Sequence, residues 1–308
     1  MELHGICPAI ATPFTETGAV DFDSYRNLAR HLLEGGCHGI TLFGIAGEYY
    51  KLTEPEEKQL IKITVEECRK AGAASIISIS RHATELAVDW ARYVESEGAD
   101  CLMLLPPFFL KPAASGIFDH IRQVGQAVSV PIMVQYAPEQ TGVAIDPAML
   151  VQLGQEVENI SVFKIENKPS GKYISNLLKA SGNKARIFIG NAGFQMIEGL
   201  DRGAVGVVPG CSMYDIYLSI YNEYRAGNRA KVFELHNALN AMLNHIRQDV
   251  EMIIAYEKKI LKRRGIIASD YCRKPTHQPD DIYLSLFDEY YDQIRPYFTE
   301  SVPQTTPA

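Results

Sequence analysis

Residues 74–98 read ASIISISRHATELAVDWARYVESEG. The first seven residues hold three isoleucines, and such a short apolar run reads as a strand over 74–80, buried on both faces. The longer amphipathic stretch behind it reads as a helix over 83–98. It closes at Gly98, where a left-handed backbone favours glycine. The same pairing recurs on either side. Apolar runs at 5–12, 38–43, 101–106, 131–137, 161–166, 186–190 and 205–209 complete a set of eight strands. Helical stretches at 21–35, 53–71, 114–128, 146–157, 170–181, 194–203 and 213–226 complete eight helices. Two of them open on recognisable caps: Thr53-Glu54-Pro55-Glu56, and Asp146 followed by Pro147. Strands that alternate with helices pair in parallel, and eight such units imply an α/β chain folded as a (β/α)₈ barrel. The competing open sheet wants G-x-G-x-x-G after its first strand. Here that strand runs into Ala11-Thr12-Pro13-Phe14. Residues 1–227 are thus expected to form the barrel. Residues 228–298 are expected to add three helices (roughly 228–247, 249–264 and 279–297) packed on it, with a flexible tail over 299–308.

Composition narrows the possible partners. The 308 residues are 46% hydrophobic and 22% charged, with a net charge of −7, which excludes wholesale disorder. A general nucleic-acid binder needs a basic face. The nearest candidate is Lys258-Lys259 with Lys262-Arg263-Arg264, whose helical spacing reads as a solvated helix face. The longest apolar stretch, 101–110, is far short of the ~20 residues of a membrane span. The start MELHGICPAI lacks the basic and apolar regions of a secretory signal. Six scattered cysteines without a C-x-x-C read as reduced, buried thiols, and the histidines show no metal-ligand spacing. A cytoplasmic protein that uses no metal, no nucleic acid and no membrane is the expectation.

In such a barrel the chemistry sits at the C-terminal ends of the strands, and three places stand out. In Ser161-Val162-Phe163-Lys164-Ile165-Glu166-Asn167, alternation puts Val162, Lys164 and Glu166 on one face. Phe163 and Ile165 facing the helices would aim Lys164 and Glu166 into the barrel mouth. There a partly buried amine is freed to attack a carbonyl. An ion pair at a strand end accounts for the same two residues. In Gly44-Ile45-Ala46-Gly47-Glu48 the glycines permit a tight turn whose N–H groups converge on an anion such as a carboxylate; an ordinary strand–helix turn fits as well. In Gln135-Tyr136-Ala137-Pro138 a phenol at the mouth can shuttle protons, although tyrosine is also a common strand residue.

Taken together, these places resemble the dihydrodipicolinate synthase / N-acetylneuraminate lyase family, from Gly5 to about Tyr297. The resemblance includes Ala9-Ile10-Ala11-Thr12-Pro13-Phe14, Gly44-x-x-Gly47-Glu48, Pro107-Phe108-Phe109, the Pro131…Thr141-Gly142 block, Lys164, Gly190-Asn191 and the 203–208 stretch. It implies a class I lyase of pyruvate and related 2-oxo acids, free of organic cofactor and metal, and a homotetramer or dimer. Lys164 would be the imine-forming residue. Gly44, Ile45, Ala46, Gly47, Asn191 and Val207 would bind substrate.

This chain also departs from the family pattern. Ile45 and Ala46 stand where the synthases carry a threonine pair. Gln135 stands where a tyrosine ends strand five, with Tyr136 one residue later. Phe108 and Phe109 replace a tyrosine pair, and Gln140 replaces a carboxylate-binding arginine. The proton relay of dihydrodipicolinate synthesis is therefore missing. The phrases Ile132-Met133-Val134-Gln135 and Phe163-Lys164-Ile165-Glu166 resemble the branch acting on 2-keto-3-deoxy sugar acids, L-2-keto-3-deoxyarabonate dehydratase included, although Tyr136 replaces an acidic residue expected there. The resemblance implies a dehydratase of such an acid, with Glu166, Tyr136 and Gln135 beside Lys164 in the catalytic set. A pyruvate-dependent aldolase, a dihydrodipicolinate synthase-like enzyme, and a catalytically impaired binder of 2-oxo acids are the alternatives.

Overall fold

The computed structural model describes residues 2–299. Eight strands alternate with helices along the chain: β1 (Gly5–Ile6), β2 (Gly39–Leu42), β3 (Ala74–Ile79), β4 (Cys101–Leu104), β5 (Ile132–Tyr136), β6 (Ile160–Ile165), β7 (Arg186–Ile189) and β8 (Gly206–Val207). All pairings are parallel, in the order β1-β8-β7-β6-β5-β4-β3-β2. The ring closes through Ala9, which bridges to both Thr41 and Gly210. The Thr41 N–H donates to Pro8 O (2.8 Å) and the Ile10 N–H to Thr41 O (3.0 Å). The first strand was expected over 5–12, yet its regular ladder is two residues long. Pro8 has no N–H to offer, so pairing beyond it falls to single bridges.

The helices are α1 (Phe22–Glu34), α2 (Glu54–Ala71), α3 (Thr84–Ser96), α4 (Ala114–Gln126), α5 (Pro138–Thr141), α6 (Pro147–Glu156), α7 (Gly171–Ala180), α8 (Met196–Asp201), α9 (Tyr214–Arg225), α10 (Arg229–Ile246), α11 (Val250–Arg263) and α12 (Asp281–Ile294). The two caps form as their residues dictate. Thr53 and Glu56 make a reciprocal capping box on α2, and Asp146 accepts from the Ala148 N–H ahead of α6. The single turn α5 was not anticipated; it spends only four residues between Pro138 and Gly142. The expected tail over 299–308 lies outside the described residues, apart from Thr299.

Alternation along the strands makes two cores. Cys7, Ala74, Ile76, Cys101, Met103, Met133, Val162, Phe188 and Val208 fill the barrel, while the intervening residues pack under the helices. All six cysteines are buried free thiols.

The C-terminal helices are tied to the barrel by charge, which corrects the expectation of a solvated basic face. Lys258 is fully buried and ion-paired to Glu48, which is also fully buried and also receives Lys51 (3.0 Å). The Lys258 ammonium lies 4.2 Å from the Phe14 ring centroid and donates to Tyr271 O (3.1 Å). Arg264 pairs with buried Asp215 (2.7 Å), and Lys259 and Lys262 both reach Asp270. A helix whose basic residues point both inward and outward cannot be sorted by spacing alone, because the inward partners come from distant loops. No helix among the described residues is long and apolar enough to cross a membrane.

Candidate active site

Lys164 projects from β6 on the same face as Val162, so its side chain enters the barrel above the internal core. Its Nζ lies 3.3 Å from Glu166 Oε1 and lines a cavity of about 190 Å³ at the strand ends. The amine therefore has open space beside it as well as a carboxylate.

Glu166 is held at three points. Gln135 Nε2 donates to its Oε2 (2.6 Å), and the Asn191 N–H donates to its Oε1 (2.9 Å), the oxygen that also faces Lys164. Gly190 makes room for it. A Cβ there would sit 2.3 Å from Glu166 Cγ, closer than any side chain tolerates. Gln135 reaches this point because β5 runs in register with β6, Gln135 opposite Lys164 and Tyr136 opposite Ile165.

Tyr136 consequently faces the other way. Its ring stacks on Tyr173 in the helix layer, with centroids 4.5 Å apart and 22° between planes, and it does not line the cavity. The irregularity of β5 falls at Ile132/Met133, at the start of the strand, so the 135–136 alternation stays regular. The expected place for Tyr136 in the catalytic set is corrected on this geometry. Val207 is displaced in the same way: it packs outward, and Val208 faces the cavity.

The turn after β2 is a 3₁₀ helix, Ile45–Gly47, bracketed by Phe43 (φ 60°) and Glu48 (φ 56°), two left-handed residues that are not glycine. Such strain persists only where the surroundings enforce it. Here the buried Glu48–Lys258 pair does so. Gly44 abuts Ala9, where a Cβ would be 3.0 Å from that residue's own. Gly44, Ile45 and Ala46 line the cavity. Gly47 lies beneath it, its carbonyl accepting from Thr12 Oγ1 (2.8 Å). The turn's own bonds use the N–H groups of Gly47 and Glu48 but not those of Ile45 and Ala46. Asn191, left-handed at φ 55°, lines the opposite wall. Both polar atoms of its side-chain amide are buried without a partner among the described residues.

Sequence reasoning missed the roof. Arg247, Gln248, Asp249, Val250 and Ile253, from the α10–α11 connection, line the same cavity, as do Glu139, Gln140 and Lys168 from the β5 and β6 loops. Lys168 pairs with Glu139 at 2.7 Å. Burial pulls the Arg247 guanidinium below its ordinary pKa, and Tyr217, Glu139 and Glu166 oppose that shift. Of the two phenylalanines after β4, Phe108 is partly buried, edge-on to His82 (4.8 Å), and Phe109 is 79% exposed.

Residues 2–288 match the dihydrodipicolinate synthetase family. The chain belongs to that family. Among curated family relatives it is 25% identical to L-2-keto-3-deoxyarabonate dehydratase of Azospirillum brasilense over 277 residues, covering 88% of each chain. It is 29% identical to 4-hydroxy-tetrahydrodipicolinate synthase of Clostridium perfringens over 204 residues, 66% of this chain and 68% of that one. Among solved structures, dihydrodipicolinate synthase of Rhodopseudomonas palustris superposes with a TM-score of 0.87 at 25% identity, covering 94% of this chain and 97% of that one. Family relatives are named as enzymes of two different reactions, so the choice between reactions rests on this chain's own site.

Proposed function

We propose that this family member is a Schiff-base-forming lyase that removes water from a 2-keto-3-deoxy sugar acid. The observation that carries the reading is Lys164 Nζ on an open cavity wall, 3.3 Å from a glutamate that Gln135 and the Asn191 N–H hold in place. The Lys164 amine condenses with the C2 ketone, expelling one water and forming an imine. The substrate carboxylate lies against the N–H groups of Ile45 and Ala46. As an electron sink, the iminium acidifies C3. Glu166 takes the C3 proton to give the enamine, then returns it to the C4 hydroxyl as that group leaves as water. Hydrolysis of the unsaturated imine frees the product and regenerates the amine. Asn191, whose amide has both a donor and an acceptor to spare, suits a substrate hydroxyl.

Glutamate serves better here than the tyrosine of the family pattern, because dehydration needs one group to act as base and then as acid at adjacent carbons. Gln135, which occupies that tyrosine's position, donates to the carboxylate and cannot relay a proton. The same proposal makes the enzyme cytoplasmic and homo-oligomeric, with neither metal nor organic cofactor. The exposed apolar step of Phe109 and Leu110, 79% and 84% accessible, supports self-association.

Incubation with a panel of 2-keto-3-deoxy pentonates and hexonates, together with their aldarate and terminally phosphorylated counterparts, tests the reaction. Products lacking one water, with no pyruvate released to lactate dehydrogenase, are expected. Release of pyruvate instead identifies a retro-aldolase, and an absence of turnover with all of them identifies a binder.

A further inference from the structure

The charges lining the cavity are almost all matched. Lys164 faces Glu166 and Lys168 faces Glu139, while Asp249 is turned to cap α11, accepting from the Met252 N–H at 2.8 Å. Arg247 is the exception. Its guanidinium makes no hydrogen bond or ion pair with any described residue; it lies 5.9 Å from the Phe194 ring centroid, and Tyr217, Glu139 and Glu166 act on it only from beyond contact distance. An unpaired, partly buried guanidinium is costly to maintain unless something anionic occupies the space beside it. The planar fork of five donors is suited to a carboxylate or phosphate held by two parallel bonds. Lys164 enters from the barrel wall and Arg247 from the connection between α10 and α11. One substrate lying in the cavity thus meets a nucleophile from one element and a cation from another.

We propose that Arg247 binds a second anionic group, at the end of the substrate remote from the ketone, so that this enzyme selects dianionic 2-oxo acids. The assignment rests on the imine reading for its orientation, with the 2-oxo end at Lys164. It narrows the substrate class to acids that carry a carboxylate or a phosphate at the distal carbon. Gln140 and Gln248, uncharged and on the same cavity, add hydrogen-bond donors without competing for the anion. Neighbouring Glu139 does not fill the role, since it is held by Lys168.

Calorimetric binding to the full-length enzyme provides the test. The ligands are 2-oxoadipate, its monoanionic counterpart 2-oxohexanoate, and 2-oxo-5-phosphonopentanoate. The wild type is expected to bind one of the two dianions at least about tenfold more tightly than 2-oxohexanoate. A preference for the phosphonate identifies a phosphate-ended substrate, and a preference for 2-oxoadipate a carboxylate-ended one. In Arg247→Gln, with its fold checked by circular dichroism, the preference is expected to fall to within about twofold. In Arg247→Lys, which keeps the charge but loses the fork, an intermediate preference is expected. Equal affinity of the wild type for 2-oxoadipate, the phosphonate and 2-oxohexanoate overturns the proposal, as does an unchanged preference in Arg247→Gln. Where Arg247→Gln does not fold, the wild-type ratio and Arg247→Lys decide. Failure of the imine reading is separable, because it removes borohydride trapping of pyruvate on Lys164 and leaves the dianion preference in place.

Discussion

At the scale of single residues, the site is an arrangement around one carboxylate. Glu166 accepts from Gln135 and from the Asn191 N–H, and faces Lys164. A proton-transferring group held this way contributes about 10²–10⁴ in rate. Glu166→Gln is therefore expected to lower kcat by that range while pyruvate can still be trapped on Lys164. An equal loss of trapping would show that Glu166 serves imine formation instead. Gly190→Ala is a more delicate probe. The new Cβ falls 2.3 Å from Glu166 Cγ and must push the carboxylate aside. A displacement of that size costs about 10²-fold in kcat. Kinetics on a variant with near-native circular dichroism check the prediction, and an unchanged kcat would show that Glu166 has freedom to spare.

At the scale of elements, strand phase decided what the sequence could reveal. Period-two alternation placed Lys164 and Glu166 correctly, because β6 is six residues long and regular to its end. The same rule placed Gln135 inward and Tyr136 outward once the β5 irregularity was located, and nothing in the letters marks that location. Val207 was missed by one position because β8 is two residues long, too short to establish a phase. The roof was illegible for a different reason: Arg247, like Lys258, meets the barrel only through tertiary docking of α10 and α11. Lys258 shows how much that docking matters. Replacing it with methionine leaves fully buried Glu48 with Lys51 as its remaining cation and loosens the strained turn at Phe43–Glu48. Breaking a buried pair costs about 3–5 kcal/mol. Lys51 offsets part of that, so Lys258→Met is expected to lose about 3 kcal/mol in denaturant unfolding. A loss below about 1 kcal/mol would mean that the pair adds little beyond packing.

At the scale of the whole molecule, the order of eight strands and eight helices was legible because every unit repeats the same local logic. A run buried on both faces is followed by an amphipathic helix with a cap or a terminal glycine. What the pattern did not show is how charge and imidazole groups are distributed inside. His31, His38, His120 and His236 are all pulled below their ordinary value by burial, and His120 reaches about 4. A histidine kept neutral by the fold binds its proton more readily when unfolded. Its stabilising contribution is therefore complete above its ordinary 6.5 and is lost as pH falls from there toward the folded-state value. Thermal melts are expected to be level in this respect above about pH 7 and to decline between about pH 6.5 and 4. In His120→Phe the decline should be shallower; an identical slope would remove His120 from the account.

The most direct test of the whole is borohydride reduction in the presence of pyruvate, followed by peptide mass mapping. One reduced adduct per chain is predicted, confined to the peptide containing Lys164 and absent from Lys164→Ala. An unmodified Lys164 peptide, or an adduct that persists in Lys164→Ala, would contradict it.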